Sequence, residues 1–450
     1  MPRKAEPAPE HDPRNLIGLL RDEVAQRVES GFDLSALQGR NEAALGGEGD
    51  PAEALDLLEA TSRLAGWRFD EPSDIAVIVE RLPASGQADV IPESELRRRL
   101  RGAWVGRCAG CILGKPVEGW TRGDIGRYLA SSRALPLRDF IPAQEAQPES
   151  FPPFKGSWAE TTRGRVDGAA RDEDVDYTIL GLHLLESRGM DFTSADVVAE
   201  LVDHLPFGQV YTAERVTYAN VIRGLEPPAT AIRRNPYREW IGALIRADIY
   251  GYVAAGRPRE AALLAYRDAS TSHVGNGIYA AMWSAALVAA SFAAGSTEEA
   301  AVEALRHIPQ DTRLAEALSI VLDAWSAHRE WETVMDQIDE TYGHYSWVHS
   351  IPNAAAIEAA ILWSGGSHLD GVALAVLAGR DTDSTGATVG SVLGAFRGIE
   401  SVASVLAEPL HDRVRSAIAG FDGASISGLA ERTLDLALQF RRSCAAIGVG

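Results

Sequence analysis

Cysteine is scarce, with three residues in a chain of 450, and this excludes a small secreted scaffold held together by disulfides. Cys108 and Cys111 form a single C-x-x-C with no second pair, and Cys444 stands alone. On a helix that spacing describes two small core-facing residues better than a zinc or redox site, and a reducing cytoplasm is the expected setting. Long apolar runs are missing too. No window reaches the ~18 uninterrupted apolar residues of a membrane span; the nearest, 280–294, carries Ser284 and Ser291 and stops at Gly295. The start, Met1 to Pro7, has prolines but no apolar stretch, so a secretory leader is not expected there. Basic charge is short, with 43 Lys and Arg against 63 Asp and Glu and a formal net charge of −20. That balance opposes contact with nucleic acid or an anionic bilayer, so a phosphate-bearing partner should be small and met locally. Strand-like alternation is almost absent and no equal-length repeat recurs, which leaves an all-α domain of ten or more helices that is not a solenoid.

What is present divides the chain into a disordered lead over 1–12, a helical extension over 13–92 and a main body over 93–445. In the extension, Asp12-Pro13 reads as a helix start, Leu16, Leu19, Leu20, Val24 and Val28 give a helical stripe, and Gly31 stops it. Asp50-Pro51 with Glu53 repeats the start signal for a helix through Leu64. This part reads as a stabilising appendage or as a lid or docking element. Further on, 121–170 is rich in Pro, Gly and Ser with little periodicity, and 213–222, 236–255 and 258 onward read as successive helices. Thr193 with Asp196 and Ser296 with Glu299 are capping signals.

The first helix of the main body carries Gly102, Gly106, Gly110 and Gly114 every four residues. Each costs about 1 kcal/mol of helix propensity, so close approach of another backbone or of a ligand must offset it. This helix runs into Lys115-Pro116-Val117-Glu118, where the proline ends the pattern and presents Glu118 at a junction. Two acidic clusters follow. Asp172-Glu173-Asp174-Val175-Asp176 opens onto an apolar helix, and Asp381-Thr382-Asp383-Ser384 sits in small-residue helical sequence. Acids in a first helical turn also complement the helix dipole, but four in five residues exceed that need. Oxygen-only sets of adjacent carboxylates with a hydroxyl nearby suit Mg²⁺, Mn²⁺ or Ca²⁺ rather than Zn²⁺. Two such clusters about 200 residues apart would each supply half of a dinuclear centre able to position a water for displacement.

The stretches 102–118 (GAWVGRCAGCILGKPVE), 172–178 (DEDVDYT), 241–246, Ser272-His273 and 379–390 fall in an order that resembles the ADP-ribosylglycohydrolase family. The resemblance spans 93 to about 400, with the D-x-D-[ST] near its end as the most specific motif. It implies a compact, orthogonal multi-helix bundle with two divalent cations, Mg²⁺ first, that removes ADP-ribose from a modified protein side chain or from a small conjugate. It places Asp172, Glu173, Asp174, Asp381, Asp383 and Ser384 as metal ligands and Glu118 with Asp172 as catalytic carboxylates. Gly242, Arg246 and His273 fall in segments of the ADP-ribose cleft, and the backbone of Gly275, Asn276 and Gly277 is a candidate pyrophosphate donor set. Arg246 and His273 are equally compatible with structural roles.

The sequence departs from the family pattern at Glu173, where aspartate is usual, at Ser384 in place of threonine, and at Cys108 to Cys111, where an aspartate often follows glycine. Asp176 is a possible substitute for a neighbouring ligand. The rival readings are a non-catalytic ADP-ribose-binding protein and a two-metal phosphoesterase.

Overall fold

Glycine decides how the two central helices of this protein meet. A computed structural model describes residues 11–84, 91–144 and 150–447; of the lead expected over 1–12, residues 1–10 lie outside them, while His11 packs on Trp240 and Asp12 bonds Arg14. The helices that position the site are designated α1 (Leu16–Glu29), α2 (Glu93–Gly114), α3 (Glu173–Arg188), α4 (Ser194–His204), α5 (Asn276–Ser291), α6 (Ser350–Trp363), α7 (Thr382–Arg397) and α8 (Ile426–Ile447). Helices dominate throughout, and the extended structure among the described residues is one two-stranded ribbon, β1 (Arg413–Val414) with β2 (Ala424–Ser425), plus isolated bridges. The all-α expectation is met.

α2 and α7 run antiparallel with their glycine stripes interlocked. A Cβ placed on Gly110 would lie 2.5 Å from the carbonyl carbon of Gly386, one on Gly106 would lie 2.9 Å from that of Gly390, and one on Gly390 would lie 2.7 Å from that of Gly106. Side chains on either stripe would hold the helices apart, so the propensity cost of the glycines is offset by direct backbone packing. The consequence is positional: the C-terminal end of α2 abuts the N-terminal end of α7. Lys115 and Glu118 are thereby brought to Asp381 and Asp383.

α5 is buried along its whole length, as befits a helix apolar on all sides. It packs on Pro258–Ala269, Asp248–Val253, α6 and α7. α8 crosses α2, where Trp104 Nε1 donates to Thr433 Oγ1 at 3.0 Å.

Several expected boundaries shift. α1 starts at Leu16, capped by Asn15, whose side chain accepts from Gly18 N, because the Asp12 carboxylate is taken by Arg14. Asp50 and Pro51 start a helix as expected, but it ends at Glu59. The expected 236–255 helix is not continuous. Ile241 N donates to Val348 O and Ser350 N to Glu239 O, so this part pairs with the loop before α6. Helix resumes only at Gly242–Arg246 and Asp248–Val253. The stretch 121–170 contains a helix, Arg122–Ser131, capped by Thr121 and burying Ile125, Tyr128 and Leu129.

The extension is fastened to the body rather than hung from it. Arg313 donates to Glu71 Oε1 at 2.8 Å and to Glu239 Oε2 at 2.8 Å, while Arg238 donates to Glu23 Oε2 at 2.7 Å. All five side chains are buried. Although burial alone pushes the Glu239 carboxyl up, Arg313 overrides it and holds the group well below its ordinary range.

Candidate metal centre and cleft

The acid pair of the second cluster rides on the N-terminal turn of α7, with Asp381 at the cap and Asp383 within the first turn. Its approach is set by two crossed backbone bonds, Gly119 N to Arg380 O at 2.8 Å and Arg380 N to Trp120 O at 3.0 Å. The turn needs Gly379 at φ +72°, where a Cβ would meet Arg122 N at 2.7 Å. The first cluster rides on α3, where Asp172 is the cap and its carboxylate accepts from Asp174 N at 3.0 Å. Behind it the fully buried Arg107 donates to the backbone oxygen of Asp174 at 2.6 Å, to Ile245 O at 2.6 Å and to Asp248 Oδ2 at 2.6 Å.

The two clusters meet. Ser384 Oγ donates to Asp174 Oδ2 at 3.3 Å, and the Lys115 ammonium stands 2.7 Å from Asp172 Oδ2, 2.6 Å from Asp383 Oδ2 and 2.9 Å from Glu118 Oε2. Ligand atoms of Glu118, Asp381 and Asp383 lie within 4.8 Å of one another, as do those of Cys111, Asp172 and Asp174. Glu173 lines the same space, with Arg171 at 3.8 Å.

Electrostatics show a shortage of positive charge. Burial pushes the carboxyls of Asp174, Asp381 and Asp383 well above their ordinary range, and their acidic neighbours add to it: Asp172 on Asp174, Asp383 on Asp381, and Glu118 on Asp383. Burial with Asp172 and Glu118 nearby raises Glu173 to about 7. Asp172 is held low despite burial because Lys115 faces it, and Lys115 in turn is raised in spite of desolvation by Asp172 and Asp383. The buried oxygens Asp174 Oδ1 and Asp383 Oδ1 have no hydrogen-bond partner. Unpaired buried carboxylate oxygens of this kind fit a hard divalent cation. Burial also raises the Cys111 thiol well above its usual value, so it is a protonated neighbour of the acids rather than a thiolate.

A cleft of about 680 Å³ opens over the clusters, lined among others by Lys155, Arg171, Tyr177, Tyr211, Trp240 and Trp347. Gly242 is in this wall. A Cβ there would lie 2.6 Å from Glu214 Oε2, so the glycine makes room for that carboxylate. His11 of the extension also reaches the cleft, packing edge-on against Trp240 at 5.4 Å.

The other expected cleft residues lie elsewhere. Arg246 is buried behind the wall, bonded to Glu214, to Asp268 Oδ1 at 2.7 Å and to Ser272 Oγ at 3.0 Å. His273 is buried and neutral, since desolvation and then Arg246 hold its pKa well below the usual value, and its Nε2 accepts from Ala243 N at 3.3 Å. The backbone donors of Gly275, Asn276 and Gly277 are spent on Ser73 Oγ, Glu239 Oε1 and Val274 O. They are not free for a pyrophosphate. Asp176 is no substitute ligand either, because it accepts from Ser416 Oγ at 2.6 Å, from Ala417 N at 3.0 Å and from Arg171 Nε at 2.7 Å.

Sequence reasoning passed over Lys115 as a site residue although it named the Lys115 to Glu118 junction. The signal was available: a lysine at the foot of a glycine-lined helix, facing clusters that need a cation. Arg107, Lys155, Trp240 and Trp347 had no comparable signal.

A solved structure described as an ADP-ribosylglycohydrolase-related protein complex is similar over 77% of this chain and 99% of its own, at 19% identity and a TM-score of 0.44. No curated protein sequence matches the chain. The family model for ADP-ribosylglycohydrolase matches residues 92–444, which covers the glycine helices, both acidic clusters and the cleft wall apart from His11, and the chain belongs to the ADP-ribosylglycohydrolase family.

Proposed function

We propose that this protein hydrolyses the glycosidic bond between ADP-ribose and an acceptor, with Asp172, Glu173, Asp174, Asp381, Asp383 and Ser384 as ligands for divalent cations, Mg²⁺ foremost. The observation that carries the reading is the convergence of two distant acidic clusters and Glu118 at the floor of one cleft, with buried carboxylate oxygens left unpaired. When bound, the cations supply charge stabilisation and polarise a water and the ribose hydroxyls.

The chain's own groups account for the rest. Cleavage at the anomeric carbon passes through an oxocarbenium-like state that needs negative charge beneath the ring and a base for the attacking water. Glu118 serves as the base, at 15% side-chain exposure, with its Oε2 2.9 Å from the Lys115 ammonium, which fixes its direction. Asp172, pinned by Lys115 and by the Asp174 backbone, lies deeper and supplies negative charge or accepts the proton. Lys155 and Arg171 are basic groups of the cleft wall that suit the pyrophosphate. Trp347 and Tyr211, 39% and 43% exposed, offer flat faces for the adenine.

The test is a product panel with Mg²⁺: peptides ADP-ribosylated on arginine or serine, O-acetyl-ADP-ribose and ADP-ribose. Release of intact ADP-ribose is the expected result. AMP with ribose phosphate would make the protein a phosphoesterase, and binding without turnover would make it an ADP-ribose-binding protein.

A further inference from the structure

Away from the cleft, three side chains of α3 and α4 converge on one point. His183 comes from α3, and Glu200 and His204 stand one turn apart on α4. His183 Nδ1 contacts Glu200 Oε1, His204 Nε2 is 3.8 Å from the same oxygen, and the two imidazole rings meet at 4.5 Å between centroids. The three ligand atoms all lie within 4.8 Å of one another. Glu200 is 7% exposed at its side chain, while the two imidazoles are 31% and 33% exposed. Phe421 packs edge-on against His183 at 5.9 Å and fixes one side of the group.

We propose that His183, Glu200 and His204 form a second metal site, for Zn²⁺ or a similar transition-metal cation, distinct from the acidic centre. Two imidazoles and one carboxylate are the donor set that this class of ion prefers, whereas Mg²⁺ and Ca²⁺ favour oxygen alone. Ligands of a tetrahedral ion with bonds of about 2.1 Å stand about 3.4 Å apart, so the 3.8 Å separation of His204 and Glu200 closes with small rotations of two half-exposed rings. Both rings face solvent in part, which provides an entry path and leaves the fourth position to water. Glu200 and His204 are held at fixed spacing by their helix, and His183 reaches them from the neighbouring one. The bound ion therefore staples α4 to the helix whose other end carries Asp172 and Asp174. The cluster does not rest on the proposed activity, because none of its residues lines the cleft.

The test uses the full chain carrying Asp381→Asn and Asp383→Asn, which disables the acidic centre, after removal of metal with a chelator. Zn²⁺ is titrated against a competing indicator, and Co²⁺ is followed by its visible absorption. One equivalent of Zn²⁺ is expected. Its affinity should fall by at least the roughly 10–100-fold that even an outer-shell change costs at a metal site when His183→Ala or His204→Ala is added, with loss of the Co²⁺ bands. His204→Gln, which keeps a polar side chain at the exposed helix end, should show the same loss without a change in the metal-free circular dichroism. Failure of the parent to bind Zn²⁺, or an affinity unchanged in all three variants, would overturn the proposal.

Discussion

Replacing Gly110 by alanine tests the link between the glycine stripe and the site most sharply. The new Cβ would stand 2.5 Å from the carbonyl carbon of Gly386 and closer still to its oxygen, and both neighbours are backbone of α7. Ordinary contact begins near 3.4 Å, so α7 must withdraw by about 1 Å or the two helices must splay. Overpacking of this kind costs about 1–3 kcal/mol, against a gain of about 1 kcal/mol in helix propensity. The net loss of stability is therefore modest, on the order of 0–2 kcal/mol. The effect on function should be much larger. Asp383 sits one turn from Gly386 on α7, and a displacement of about 1 Å at a reacting group costs on the order of 100-fold in rate. Gly126→Ala is the control, since nothing lies within 4 Å of a Cβ there and its helix interior should gain up to about 1 kcal/mol. Thermal melts, cation affinity and turnover are compared across the two variants. If Gly110→Ala keeps wild-type melting, cation affinity and rate, the stripe does not position the acids and the reasoning fails.

Glu173 is raised from its ordinary 4.5 to about 7 in the absence of a cation, so the folded state holds a proton that the unfolded state has released. The stability of the metal-free chain should then fall as pH rises from about 4.5 to about 7, by about 3 kcal/mol from this group, with the buried Asp174, Asp381 and Asp383 adding in the same direction. Denaturant melts with chelator should show this fall and saturating Mg²⁺ should flatten it; stability that rises with pH would contradict the assignment. Arg313→Met leaves Glu239 buried without its arginine partner and Glu71 with Arg63 as its remaining ion pair, so about 3–5 kcal/mol should be lost, read by melting and by protease sensitivity of the extension. Asp176→Asn removes an ion pair with Arg171 and should cost about 1–3 kcal/mol while leaving cation affinity unchanged, which separates this residue from the ligands beside it.

Much of the local architecture could be read from the chain because it depends on short-range chemistry. Thr193 with Asp196 forms the expected capping box, Ser296 caps its helix, and Asp50-Pro51 starts one. The glycine spacing announced a close backbone approach, although only the fold reveals that the partner is a second glycine stripe on α7. What stayed hidden depends on distant partners. The stretch from Arg238 to Ile241 has helical composition, but its backbone bonds go to the loop at Val348 and Ser350. Asn276 resembled an anion-binding turn, yet Glu239 from another segment accepts its N–H at 3.0 Å. Arg246 and His273 sit behind the cleft wall for the same kind of reason, drawn inward by Glu214, Asp268 and Ser272. The acidic clusters were legible because six carboxyls with a single arginine ahead of each cluster, Arg171 and Arg380, outnumber the basic groups beside them in sequence and demand compensation. Lys115 provides part of it, and the unpaired oxygens of Asp174 and Asp383 mark what is left.

Joint cation binding by the two clusters is tested most directly with Mn²⁺ as the probe. The metal-free chain is titrated while the electron paramagnetic resonance signal of free Mn²⁺ is recorded, for the wild type, Asp174→Asn and Asp383→Asn. Tight uptake by the wild type and a fall of at least tenfold in affinity in each variant, one from either cluster, is the expected result. Wild-type uptake in both variants would contradict the claim.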